Sequence, residues 1–215
     1  MNTTRTSRAT FLGLVSMLGV STTPSLVATA DPVAPPKFDQ AEFERRVALP
    51  YQHRQVYASA RLNRAIALHY MHNSLAAYSS EAGFNEGRGT VHVASVMYGA
   101  SLVTVAGNAE WHDFRIAAVL SQAGETVGEA SAGNPWSSAV AELAAAGASF
   151  FVCNNALSDL STLLARAAGG AFTPGMVYAR LRAGFIGNAL VVPAGVAALN
   201  ALQEARFTFI QATVN

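Results

Sequence analysis

Hydrophobic positions along the chain follow two different spacings. Leu68, Met71, Leu75 and Tyr78 recur at intervals that place them on one helical face, which predicts a helix over 62–78. Short, nearly continuous apolar runs rich in β-branched and aromatic residues separate the helical patterns, as is typical of buried parallel strands. These runs predict strands over 53–59, 90–98, 149–152, 189–192 and 207–212.

Capping residues predict where further helices begin. Asn134-Pro135 and Thr173-Pro174 each pair a cap residue with a proline suited to a first helical turn. Helices are therefore predicted over 136–146, from Cys153 to Gly169, from Thr173 onward, and over 196–205. Strands that alternate with helices predict an α/β fold: a single-domain, open five-stranded parallel sheet with helices on both faces, in flavodoxin-like layers. In such sheets, sites form beyond the carboxyl ends of strands, where the strand order reverses.

The first thirty residues have the pattern of an export signal. Arg5 and Arg8 precede the apolar run 11–20, and Ala28-Thr29-Ala30 has the form of a cleavage site. This predicts a signal peptide over 1–30 and a periplasmic or otherwise exported protein, with no stable membrane span after cleavage. An N-terminal anchor helix is the alternative. Ala9 replaces the second arginine of a twin-arginine motif, so both the twin-arginine and the general secretory routes stay open.

A Pro-rich leader is predicted over 31–51, extended in its first ten residues, followed by one domain over 52–215. Ser121 to Asn134 is polar and Gly-rich, and a loop of that length is typically a functional lid or disordered.

The net charge is +1 and Lys37 is the only lysine, which argues against nucleic-acid binding. The chain has no Gly-rich dinucleotide motif and no phosphate-binding loop, so we expect no cofactor.

Cys153 is the only cysteine, so no intrachain disulfide can form. It falls where a predicted strand ends and a helix begins, and free backbone N–H groups at a helix N-terminus stabilise a thiolate. Asn154 and Asn155 follow it and offer caps, or hydrogen-bond donors to sulfur or to an anionic substrate. The alternative is a buried, inert cysteine, since free cysteine is among the most buried residue types.

His69 and His72 lie three residues apart and share a helical face. A metal site there would need further ligands from His92, Glu110, His112 or Asp113, in no recognisable metal-binding pattern, so we expect no metal. Polar surface or core groups are the more ordinary interpretation. No serine lies in a G-x-S-x-G nucleophile turn.

Several segments, in order, resemble the DsrE/DsrF-like sulfur-relay family, and specifically its exported subgroup. They are HRQVY at 53–57, LHYMHNSLAAY at 68–78, TVHV at 90–93 leading to Tyr98-Gly99, FVCNNAL at 151–157, and VPAGV at 192–196 with LQE at 202–204 and FTFI at 207–210. The resemblance covers about residues 52–212. It implies a five-stranded parallel sheet, assembly into homo-oligomers, and a cysteine at position 153 that carries persulfide sulfur. This chain has no second cysteine.

Two hypotheses follow. The first is a periplasmic DsrE-like protein, a sulfurtransferase or sulfur carrier, that binds or transfers sulfane sulfur through Cys153 and exchanges it with a donor or acceptor protein. Asn154 and Asn155 would stabilise the thiolate or persulfide, and His69 or His92 would orient substrate. The second is a non-catalytic scaffold on the same fold, which holds a small ligand or a partner beneath the Ser121–Asn134 loop.

Overall fold

Five parallel strands form one sheet in the order β4-β3-β2-β1-β5. The fold is taken from a computed structural model, and it describes residues 37–127 and 133–212. The strands are β1 (His53–Ser59), β2 (Val91–Met97), β3 (Ser149–Cys153), β4 (Leu190–Val192) and β5 (Thr208–Gln211). All five predicted strands are confirmed, with bounds that differ by no more than one residue at either end.

Eight α-helices connect and flank these strands in the described part of the chain. They are α1 (Gln40–Val47), α2 (Ile66–Ser79), α3 (Asn108–Asp113), α4 (Ile116–Gln122), α5 (Ser137–Ala145), α6 (Asn154–Ala167), α7 (Pro174–Ala183) and α8 (Gly195–Glu204). Short 3-10 turns at Asn63–Ala65 and Ala100–Val105 follow β1 and β2. The predicted α/β fold with a single five-stranded parallel sheet is therefore confirmed.

The strand order divides the helices between the two faces of the sheet. From β1 to β4 the chain moves one strand at a time in the same direction, and the crossover helices α2, α5 and α6 pack into the larger hydrophobic cluster on one face. From β4 the chain returns across the sheet to β5, beside β1, through α8 on the other face. Crossovers of a fixed hand give this division, because reversing the direction of travel moves the connecting helix to the opposite face.

Helix α1 was not predicted, and it lies within the leader assigned to 31–51. Gln40–Val47 is helical, with the Asp39 carboxylate accepting the Glu42 N–H at 2.9 Å as an N-cap. Phe43 packs edge-on against Phe151 of β3, with ring centroids 5.2 Å apart. This helix therefore covers part of the α8 face of the sheet and belongs to the folded domain.

Some sequence predictions lie outside the described residues. These are the signal peptide over 1–30, the leader residues 31–36, and positions 128–132 of the Ser121–Asn134 loop. At the near end of that loop, α4 continues to Gln122. At its far end, Asn134 Oδ1 accepts the Trp136 N–H at 2.9 Å, while its side-chain nitrogen donates to the carbonyls of Thr104 and Ala106. Among the described helices, none has both the length and the apolar character needed to cross a bilayer.

Candidate functional site

Cys153 lies at the end of β3, where the chain segments that follow β3 and β4 turn to opposite faces of the sheet. It is the last residue of β3, and its register partner Val192 is the last residue of β4. The chain after β3 enters α6 on one face, whereas the chain after β4 enters α8 on the other. Diverging loops leave a crevice at the carboxyl edge of the sheet, which is where ligand sites of this architecture form. The predicted strand-to-helix position of Cys153 is confirmed.

Two helix N-termini meet at the thiol. Cys153 is the N-cap residue of α6, with extended backbone angles and no side-chain capping bond. Gly195, the first residue of α8, lies against it: a Cβ built on Gly195 would stand 3.2 Å from the Cys153 Cβ. Side chains cap neither helix, so their first-turn N–H groups keep their positive character.

Close packing covers the sulfur on the α8 side. A Cβ on Gly195 would also stand 2.7 Å from the Tyr98 Cβ, so only glycine fits between the end of β2 and the end of β3. Cys153 is 6 % exposed. The next residue of α8, Val196, is 69 % exposed, so the start of α8 lies at the surface beside Cys153.

Asn154 and Asn155 begin α6, directly after the cysteine. Asn154 Oδ1 accepts a 2.6 Å hydrogen bond from the Tyr178 hydroxyl of α7, which fixes the side-chain amide and leaves its NH2 group for another acceptor. Burial raises the pKa of Tyr178, so this hydroxyl stays protonated and acts as the donor. Asn155 is exposed. The structure therefore brings both predicted asparagines to the helix terminus that Cys153 caps.

The structure does not bring His92 to this site. Val152, one residue before Cys153, pairs with Met97, so His92 lies about 20 Å away at the amino edge of the sheet. His92 is buried, and its Nε2 lies 2.9 Å from the Ser149 hydroxyl. Burial, and then the positive charges of Arg54 and Arg46, lower its pKa to about 4. The position of His92 therefore does not support its predicted binding role at Cys153, because the two residues lie at opposite ends of neighbouring strands.

His69 is also remote from the thiol. It lies exposed on α2, on the face of the sheet opposite α8, and lines an open cavity of about 210 Å³ between α2 and α5. His72, Arg64, Trp136 and Glu142 line the same cavity. We call this cavity the α2–α5 groove. The predicted role of His69 beside Cys153 is therefore not supported by its position.

No cluster of three or more histidine, cysteine or acidic side chains suited to a metal ion occurs among residues 37–127 and 133–212. The additional ligands considered for His69 and His72 are engaged elsewhere. His112 Nδ1 lies 2.9 Å from Asp113, and Asp113 also pairs with Arg180 at 2.5 Å. Hydrogen bonding from Arg180, and next from His112, lowers the pKa of Asp113. These contacts connect α3 with α7 and leave the two α2 histidines without a third ligand there.

Comparisons with known proteins give one distant structural likeness. No family model matches the chain, and no curated protein matches it. A protein of unknown function from Methanobacterium thermoautotrophicum, MTH1491, is similar in structure, with 19% sequence identity and a TM-score of 0.40. The match covers 74% of this chain and 98% of the other. Similarity at this level carries no information about function.

Proposed function

We propose that this protein binds or transfers sulfane sulfur as a persulfide on Cys153, as an exported DsrE-like sulfurtransferase or sulfur carrier. The observation that carries the proposal is the position of Cys153 at the N-termini of both α6 and α8, where the connections after β3 and β4 diverge. This position supports thiolate formation, and the thiolate is the form that attacks a sulfane sulfur.

The transfer step needs no external oxidant or reductant. The Cys153 thiolate attacks the outer sulfur of a donor such as thiosulfate, and a new S–S bond forms at the cysteine. The donor's own S–S bond breaks, and its electron pair leaves with sulfite. Charge and sulfur balance, because a thiolate and thiosulfate become a persulfide anion and sulfite. The product keeps a negative charge next to the same helix termini, which stabilise it as they stabilise the thiolate.

The neighbouring asparagines supply further donors in this proposal. The Asn154 NH2 group is oriented by the Tyr178 hydrogen bond to the carbonyl side of the same amide. It would donate to the persulfide or to an oxygen of the departing anion, and exposed Asn155 would contact the incoming donor. The distant histidines take no part, so the site consists of a thiolate, backbone N–H groups and amides.

Intact-mass spectrometry with a sulfur donor tests the proposal. The folded protein is incubated with polysulfide or thiosulfate, and we expect added mass of whole sulfur atoms that a reducing thiol removes. Cys153→Ser is the matched control and should gain no mass. A wild-type thiol that stays unmodified while the denatured protein is modified under the same conditions would overturn the proposal.

Burial of the thiol favours a second candidate function, a non-catalytic scaffold that binds a small ligand or a partner. Cys153 is only 6 % exposed, and the first turn of α8 covers it. Alkylation distinguishes the two functions. A sulfur carrier must admit iodoacetamide to the folded site, whereas a scaffold with a structural cysteine reacts only after unfolding.

Export and assembly are part of the same proposal. The signal-like residues 1–30 support secretion, and the mass of the protein recovered from a periplasmic fraction tests cleavage after Ala30. A full-length, cell-associated protein would indicate an N-terminal anchor instead. Light scattering of the mature protein tests the expected homo-oligomer. A monomer at all concentrations would contradict that expectation.

A further inference from the structure

The α2–α5 groove, lined by both apolar and charged side chains, lies on the face of the sheet opposite Cys153. Its volume is about 210 Å³. One side is formed by Arg64, His69 and His72 around the start of α2, and the other by Trp136 and Glu142 beside and within α5. The groove begins just after the carboxyl end of β1, the edge of the sheet at which α/β proteins bind ligands.

The charged side chains of this groove have no partner among the described residues. Within the described residues, Arg64, His69, His72 and Glu142 make no side-chain hydrogen bond or ion pair. Several other arginines of the domain have carboxylate partners, as Arg45 does with Glu42 at 2.7 Å. A group of charged side chains that converge on one cavity without satisfying one another is available to a ligand.

Backbone strain holds one wall of the groove in place. Asn63, Arg64 and Ala65 have successive φ values of 42°, 53° and 57°, in the left-handed region that non-glycine residues rarely adopt. Conformations of this kind cost energy and persist where the surroundings enforce them, often at ligand sites. The preceding residues are held by Glu125, whose carboxylate accepts the Leu62 N–H at 3.1 Å and lies 3.5 Å from the Arg61 guanidinium.

Arg64 is the only arginine or lysine among the residues that line the groove, and α2 begins beside it without a side-chain cap. Glu142 is the single opposing carboxylate among the groove residues. Arginine forms charge-assisted, bidentate hydrogen bonds with carboxylates, so Arg64 is the side chain best suited to bind a carboxylate group of the ligand.

The indole of Trp136 provides a flat apolar wall. It is half-buried and packs edge-on against Trp111, with ring centroids 5.7 Å apart, so its orientation is fixed. A fixed aromatic face stacks well against a planar ring. The groove, at about 210 Å³, has room for a small ligand of one ring and one carboxylate. We propose that the α2–α5 groove binds a small aromatic carboxylate, with the carboxylate at Arg64 and the ring against Trp136.

This site is independent of sulfur chemistry. Cys153 packs against α8 on one face of the sheet, and the groove lies between helices of the opposite face. Loss of ligand binding in the groove therefore leaves persulfide formation intact, and the reverse also holds.

Titration with benzoate, followed by tryptophan fluorescence and by amide chemical shifts of α2 and α5, tests the proposal. We expect saturable binding that Arg64→Gln weakens by about tenfold or more, since a lost charge-assisted hydrogen bond has an effect of that order. Arg88→Gln, which removes an exposed arginine outside the groove, should leave the affinity unchanged. Absence of saturable benzoate binding, or equal affinities of the two variants, would overturn the proposal.

Two comparisons separate binding from structure. Arg64→Gly accepts the left-handed backbone without strain, so we expect a folded protein of at least wild-type thermal stability that no longer binds benzoate. Wild-type affinity in Arg64→Gly would show that the guanidinium is not part of the site. Acetate carries the same charge without a ring and should bind at least tenfold more weakly than benzoate. Equal affinities would exclude stacking against Trp136.

Discussion

Arg54 and His92 are register partners on adjacent strands β1 and β2, directly opposite each other at the amino edge of the sheet. Arg54 donates to the carbonyls of Leu49 and Ala205, at 3.1 and 3.0 Å, and carries a permanent positive charge. Two like charges directly opposite are unfavourable, and His92 is almost fully buried. The imidazole is therefore neutral in the folded protein over most of the pH range, as its pKa of about 4 indicates.

The folded protein should lose stability as the pH falls from 6.5 to 4. In the unfolded chain His92 takes up a proton near its ordinary pKa of 6.5, whereas in the folded protein it does so only near 4. The stabilising effect of neutral His92 is thus fully present above pH 6.5, and about 3 kcal/mol of it is lost by pH 4. Urea unfolding at several pH values measures this loss.

His92→Gln is the variant that isolates the effect, since glutamine can still hydrogen-bond Ser149 but does not titrate in this range. Its stability should change less over the same pH interval. His69→Gln removes an exposed histidine and should keep the wild-type pH dependence. The same slope in all three proteins would assign the loss to other groups.

Gly195→Ala should loosen the cover over the thiol. The added methyl group would stand 2.7 Å from the Tyr98 Cβ, so α8 must shift or the strand ends must separate. We expect a loss of about 1–3 kcal/mol in the free energy of unfolding, together with faster alkylation of Cys153 in the folded state. Val196→Ala, one residue further and largely exposed, should change neither quantity. Unchanged alkylation in a destabilised Gly195→Ala would mean that α8 does not control access.

Tyr178→Phe should weaken the attachment of α7 to the start of α6 and so lower the stability of the fold. The variant removes the 2.6 Å hydrogen bond to Asn154 Oδ1 and retains the aromatic ring. A loss of about 1 kcal/mol is expected from denaturant unfolding. Tyr70→Phe is the matched control, because its hydroxyl has no hydrogen bond to another described residue. If both variants unfold at the same denaturant concentration as the wild type, the bond does not stabilise the fold.

Phe43→Ala tests whether α1 is an integral part of the domain. The phenyl ring packs against Phe151 of β3 and against Phe38, with ring centroids 5.2 and 5.8 Å apart. Truncation should destabilise the protein by about 1–3 kcal/mol. Phe84→Ala makes the same truncation at a ring that is 66 % exposed and should have a much smaller effect. Equal losses of stability in the two variants would show that α1 does not unfold together with the rest of the domain.

Local sequence signals were sufficient to predict the five strands of the sheet and the position of Cys153 at a strand-to-helix junction. The run at 90–98 is apolar and β-branched because β2 is the central strand, with neighbours on both edges and helices on both faces. Cys153 follows a similar run and precedes a helical repeat, so its place at a strand-to-helix junction could be predicted. In both cases the signal comes from residues that are consecutive in the chain.

Contacts between distant segments could not be predicted. Gly195 meets Cys153 only because the chain crosses from β4 to the opposite face before α8 begins. His92 is different: it lies near the start of β2 and Cys153 ends β3, so the predicted parallel strands already implied their separation. Helix α1 was missed because its polar sequence has a single aromatic contact with β3, through Phe43. The left-handed backbone of Arg64 likewise has no local signal, since arginine rarely adopts this conformation.

The sheet order also determines when the protein can finish folding during synthesis. Strands β1 to β4 pair in the order in which they are made, each with its predecessor. The other edge of β1 stays unpaired until Thr208–Gln211 arrives and forms β5. Pairing β5 with β1 joins segments from opposite ends of the domain, and it has the largest entropic cost of loop closure in the sheet. A nascent chain therefore exposes one edge of β1 until β5 has been synthesised.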